Sequence, residues 1–174
     1  MNKIRLGSEV IVSDPCYSNE ESWVNTRIDN MRPGMYDTQV GKSDQGEWGD
    51  RISSLTIVHE NIQSPVWEDH GEVAVDSGQM SICDVLSYRN EEVGKTLPWM
   101  TDKGNPFVGG PNDWYSKMCD RTLTEEMWGV YDTGVVSSTG FGDGCYRLEI
   151  SKMDGIVHGV RVTFIDISKQ RSCV

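Results

Sequence analysis

Hydrophobic and polar residues alternate over short stretches of the chain, the period-two pattern of half-buried strands. Residues 9–13 predict a strand that runs into Asp14-Pro15-Cys16-Tyr17, where proline ends the ladder and leaves Asp14 at a strand end. Residues 35–40, 51–59, 72–76 and 79–83 predict further strands, with Ser77-Gly78 turning the last two. Ile52 lies out of phase with Leu55 and Ile57, which predicts a bulge near Ser53-Ser54. Helical spacing is confined to short pieces. Residues 18–27 carry Ser18 and Glu21 at capping-box spacing, with Trp23 to pack on a sheet. Asp84 caps a short helix over 84–88, and 113–119 and 124–128 complete the helical segments.

The C-terminal third has the clearest pattern. Residues 134–139, 145–151 and 156–167 predict a β-meander, joined by Gly140-Phe141-Gly142-Asp143-Gly144 and by Met153-Asp154-Gly155. Tyr146, Leu148 and Ile150 share one face, Val160, Val162 and Phe164 the matching one, and the phase breaks near Phe164. The expected fold is mainly β (α+β), an antiparallel sandwich or barrel with a few short helices and a C-terminal meander. It is expected to form a single domain over 1–174, with a Pro/Gly-rich loop or flap at 94–112 that also holds Trp99 and Phe107.

Composition narrows the partners. With 174 residues, 18 Gly, six Trp and six Tyr, the chain can build one core from strands and turns. Its net charge of -11 argues against a broad surface for duplex nucleic acid. A small anion held by backbone amides and by Arg147 or Arg161 stays open. No stretch is apolar for long enough to span a membrane, and the first residues do not read as a signal peptide. The five cysteines are widely spaced without a CxxC pair, so a reduced, cytoplasmic protein is expected.

Three aspartates stand out: Asp14, Asp76 and Asp143 each sit at a strand end in a turn with Pro, Ser or Gly. If those ends adjoin, the carboxylates could hold Mg²⁺ or Ca²⁺ or do acid–base work. The alternative is that each caps its own turn. Cys16 and Cys145 precede tyrosines, but a thiolate nucleophile needs a basic partner, and His59, His70 and His158 lie in no catalytic motif. The cysteines are therefore read as small buried packing residues, His158 as a half-exposed strand residue and His70 as a loop residue. Ser77 lacks the GxSxG elbow of a hydrolase. The glycine loop is no P-loop, although its amides could form an anion nest. The ligand-contact set drawn from these features is Asp14, Tyr17, Asp76, Ser77, Trp99, Gly142, Asp143, Gly144, Tyr146 and Arg147.

Three motifs in order, Asp14-Pro15-Cys16-Tyr17, Val75-Asp76-Ser77-Gly78 and Gly142-Asp143-Gly144-Cys145-Tyr146, give the chain a resemblance. From about residue 10 to 166 it resembles an uncharacterised family of small bacterial and phage proteins with DPCY, VDSG or VDAG, and GDGxY motifs. Trp23 and Pro33-Gly34 also match. The resemblance implies a β-rich domain, often in a phage or mobile-element setting, and supplies no reaction. Three functions follow as expectations. The first is binding of a small polar ligand at a rim of strand-end loops, such as a nucleotide signal sequestered against host defence. The second is metal-assisted hydrolysis by clustered aspartates, and the third an acidic module docking on a host protein.

Overall fold

Alternation decides where each strand buries its side chains, and here it builds two antiparallel sheets. The computed structural model describes residues 2–17, 25–89, 114–131 and 133–167. Among them run eleven strands: β1 (Lys3–Leu6), β2 (Val10–Ser13), β3 (Thr26–Ile28), β4 (Gly34–Asp44), β5 (Asp50–His59), β6 (Trp67–Val75), β7 (Gln79–Asp84), β8 (Trp128–Tyr131), β9 (Gly134–Ser138), β10 (Gly144–Met153) and β11 (Ile156–Thr163). One α-helix, α1 (Trp114–Thr122), lies between β7 and β8. The six-stranded sheet has the order β1-β4-β5-β11-β10-β6, and the five-stranded sheet β3-β2-β7-β9-β8.

The inner faces meet in one core. Tyr36, Leu55, Ile57, Leu148, Ile150, Val160 and Val162 come from the larger sheet, and Val10, Val12, Met80, Ile82 and Val135 from the smaller. The face pairs expected for β6 (Val73, Val75) and β7 (Met80, Ile82) are both buried there. The smaller sheet is covered outside as well. Ile11, Cys83 and Val136 pack there against Trp114 and Met118 of α1 and against Tyr88. The layers are therefore helix, small sheet, core and large sheet, a β-sandwich with one covering helix.

The expected bulge is present: Gly41 pairs with Ser54 and Lys42 with Ile52, so Ser53 is the extra residue. Several boundaries differ. Residues 26–28 form strand rather than helix, pairing with β2 from Val10 to Val12; residues 18–24, with Trp23, lie outside the described residues, as do 94–112. β4 continues through residues 41–44, read as loop, because the bulge restores its pairing with β5. Residues 84–88 make hydrogen-bonded turns on Asp84, with no helix assigned. Trp128 opens β8, where a helical turn was expected.

The C-terminal meander is corrected too. Only β10 and β11 form a hairpin; β9 lies in the other sheet, between β7 and β8. The glycine loop is thus a crossover between layers about 10 Å apart. Val75 to Gln79 is a second crossover, from β6 in the large sheet to β7 in the small one. The two pass side by side. Thr139 N–H donates to the Gly78 carbonyl at 3.1 Å, and a Cβ on Gly78 would stand 3.6 Å from Gly142 Cα. Gly78 (φ 70°) and Gly142 (φ 109°) hold left-handed backbone at these corners, which side chains would strain.

Candidate functional site

Asp14 joins two of the three motif turns from below. It ends β2 with its side chain fully buried. Oδ2 accepts the N–H groups of Asp76 at 2.8 Å and Ser77 at 2.6 Å. Oδ1 accepts the Cys16 N–H at 2.9 Å and the Ser77 hydroxyl at 2.6 Å. Four donors, three from backbone, satisfy the carboxylate and fix the Asp76-Ser77-Gly78 corner on the end of β2. Tyr88 secures the same turn from the helix side, its hydroxyl within 3.1 Å of the Asp14 carbonyl and 3.0 Å of that of Tyr17.

Tyr146 does the corresponding work for the glycine loop. Its hydroxyl donates to the Gly142 carbonyl at 2.5 Å and lies 3.3 Å from that of Thr139. Its ring packs edge-on against Phe164 at 5.1 Å. Asp14, Ser77 and Tyr146 are thus supports, which hold the loops from behind. Outward of them stand Tyr17, Asp76, Gly142, Asp143 and Gly144. The Tyr17 hydroxyl donates to Asp76 Oδ2 at 3.1 Å. Burial, reinforced by that carboxylate, pushes its phenol up to about 12, so it stays protonated at neutral pH.

Two exposed aromatics complete the rim, and sequence reading missed both. Trp48 lies in a 3-10 turn, Gly46–Trp48, between β4 and β5. Phe141 lies in the glycine loop, and the two rings meet edge to face with centroids 6.4 Å apart. Trp48 is 68% exposed and Phe141 60%, unusual for rings of this size beside a core that buries Tyr36 completely. The signal for Phe141 was its place inside a glycine-rich turn, where nothing requires an aromatic. The Trp48 signal was weaker, a lone tryptophan in a polar loop.

Beside Ser77 a polar cluster links β7 to α1. Gln79 Nε2 lies 3.5 Å from the Tyr115 hydroxyl and 3.4 Å from the Cys119 sulfur. Tyr115 and Cys119 stand four apart on α1, so both face the sheet. Burial raises the Tyr115 phenol to about 12.

Other candidates fall away from the rim. Arg147 leans over the outer face of the large sheet, 3.4 Å from Asp69 and 3.3 Å from Glu149. Trp99 lies outside the described residues. The three aspartates do not make a metal centre, because Asp14 is turned inward onto four donors. Among the described residues no group of three or more His, Cys, Asp or Glu is placed to hold an ion. Cys16 is buried, and burial with the Asp14 carboxylate beside it raises its thiol far above the ordinary range, which suppresses the thiolate. Cys145, expected to be buried, is exposed. His158, expected to be half exposed, is 3% exposed. It shares a face with Val160 and Val162, at a bulge opposite Ser151 and Lys152, and meets His59 at 6.2 Å. His70, read as a loop residue, is an exposed residue of β6.

Compared with family models, curated proteins and solved structures, the chain matches none. No helix among the described residues is long and apolar enough to cross a membrane.

Proposed function

We propose that the protein is a binding module that takes a small polar ligand carrying an amino or other cationic group at the rim of the three turns. One observation carries the reading. Turns more than sixty residues apart in sequence are fastened together from below by a buried carboxylate, while their outward side holds exposed carboxylates beside an exposed aromatic pair. A supporting layer that fixes loops in this way is what pre-organises a binding site. Asp76 and Asp143 supply acceptors and negative charge, and Trp48 and Phe141 supply π-faces that attract cations. With Arg147 turned toward Asp69 and Glu149, the rim favours a cation over the phosphates of a nucleotide.

Binding is favoured over catalysis by the state of the reactive groups. The Ser77 hydroxyl is hydrogen-bonded to Asp14, which leaves no histidine in the role of its base. The Cys16 thiol is held protonated.

The test is a thermal-shift and calorimetric comparison of spermidine, choline and arginine amide with AMP, ATP and cyclic dinucleotides. Binding of at least one amine, lost in Asp143→Asn and Trp48→Ala, is expected. Binding of nucleotides alone, or amine binding indifferent to both substitutions, would overturn the reading. A Mg²⁺-dependent turnover abolished by Asp143→Asn would replace it with hydrolysis.

A further inference from the structure

The outer face of the six-stranded sheet carries a cavity of about 420 Å³ between β4, β5 and β11 and the segment 62–67. This falls within the roughly 300–1,000 Å³ of small-molecule sites. It lies on the opposite side of the large sheet from the core, and its lining belongs neither to the rim nor to its supports.

Its wall is built with care. Trp67 begins β6, and its ring reaches back over β11, where residue 159 is glycine. A Cβ there would stand 3.1 Å from the indole and 3.1 Å from the Ile57 carbonyl, so the bare backbone of glycine lets the ring lie close. Arg161, two residues on, lays its guanidinium 4.5 Å from the Trp67 ring centre. Glu149, 5% exposed on β10, locks that guanidinium in place. Its Oε2 accepts from Arg161 Nε at 2.8 Å and lies 2.8 Å from Nη2. Indole and guanidinium thus form one flat, fixed wall. Asp37, Gln39, Thr56 and Gln63 line the rest of the cavity.

The charges decide the ligand. Arg161 is already neutralised by Glu149, and Asp37 lies 3.8 Å from the Lys3 ammonium, which Glu60 holds more closely at 2.9 Å. An anion would meet the Asp37 carboxylate, with Arg161 already paired, and a cation would meet the Arg161 guanidinium. What remains is a set of groups that both donate and accept: two carboxamides and two hydroxyls, with a carboxylate as further acceptor. A neutral molecule with several adjacent hydroxyls and one flat C–H face fits both the wall and its polar border.

We propose that this cavity is a second binding site, for a neutral saccharide lying flat on the Trp67–Arg161 wall, with its hydroxyls to Gln39, Gln63, Thr56 and Asp37. The site is independent of the rim, so either can fail alone.

The test is a titration of the isotope-labelled full chain with maltose, cellobiose, mannobiose and diacetylchitobiose, followed by amide and indole NMR signals. At least one disaccharide is expected to shift the Trp67 indole and the Gly159 and Thr56 amides saturably, leaving Phe141 and Gly142 unmoved. Gln39→Ala and Gln63→Ala alter exposed side chains and should keep the fold, yet each should weaken that binding by roughly tenfold, the worth of one or two hydrogen bonds. Asp143→Asn should leave it unchanged. No saturable shift with any of the four, shifts centred on the rim, or affinity unchanged in both glutamine variants would overturn the proposal.

Discussion

The Asp14 carboxylate accepts hydrogen bonds from Cys16, from Asp76 and twice from Ser77. In Asp14→Asn an amide NH₂ would face donors that need acceptors. Denaturant unfolding should show a loss of about 3 kcal/mol or more, since a buried donor left unpaired costs about 1–3 kcal/mol. Asp143→Asn, at an exposed position, should stay within about 0.5 kcal/mol of the parent. The two aspartates look alike in sequence, each in a turn beside Cys and Tyr, and the residue pattern shows the side-chain type but not its partner. That is why Asp14 read as a ligand when it is a support. Cys145 and His158 were misplaced for a related reason: exposure in a strand depends on phase, and His158 is in phase with the buried Val160 and Val162 while Cys145 is out of phase with Leu148 and Ile150.

His59 couples stability to pH. It is 4% exposed beside His158 and Tyr36, and burial lowers its pKa, with Arg32 adding to the effect. The unfolded chain therefore binds the proton more readily. Stability should be complete above the unfolded value of about 6.5 and fall as pH drops from there toward the lower folded value. Unfolding free energies measured across that window should decline, and less steeply in His59→Gln; a stability that rises as the pH falls would refute the account.

Among the elements, α1 contributes by covering the outer face of the small sheet. Trp114 meets Tyr88 at 5.3 Å and Tyr131 at 5.4 Å, both edge-on. Trp114→Ala should cost about 3–5 kcal/mol, read by denaturant unfolding, and weaken the near-ultraviolet circular dichroism of the buried tyrosines. The helix was legible from the sequence, as were most strands, because period-two and helical spacings persist along them. The Ser53 bulge was legible from the phase slip at Ile52. β3 was not: Ser18 and Glu21 imitate a helix start, and three strand residues carry little periodicity against it. Nor was the crossover at the glycine loop. A turn between two strands reads as a hairpin unless something shows that its flanks belong to different layers, and β9 pairs with β8 on one side and on the other with β7, more than fifty residues away.

For the molecule as a whole, the two-sheet architecture was legible and the assembly of the rim was anticipated in outline, as three turns at one edge. Its aromatic pair and its supporting layer depend on contacts between distant loops, which no local pattern encodes. The net charge of -11 adds a field around the rim. Spermidine affinity should therefore fall as salt rises, most steeply as the screening length drops to about 10 Å near 0.1 M ionic strength. Calorimetry at several salt concentrations checks this, and an affinity indifferent to salt would remove the electrostatic part of the account.

Binding at the rim requires the three turns to form one fixed unit. Amide hydrogen exchange tests that directly, because Asp76 and Ser77 lie in a surface turn where unprotected amides exchange quickly. Their N–H groups should be protected nearly as well as those of β7, and in Asp14→Asn they should lose protection together with Thr139 and Gly142. Rapid exchange of Asp76 and Ser77 in the parent protein would contradict the account.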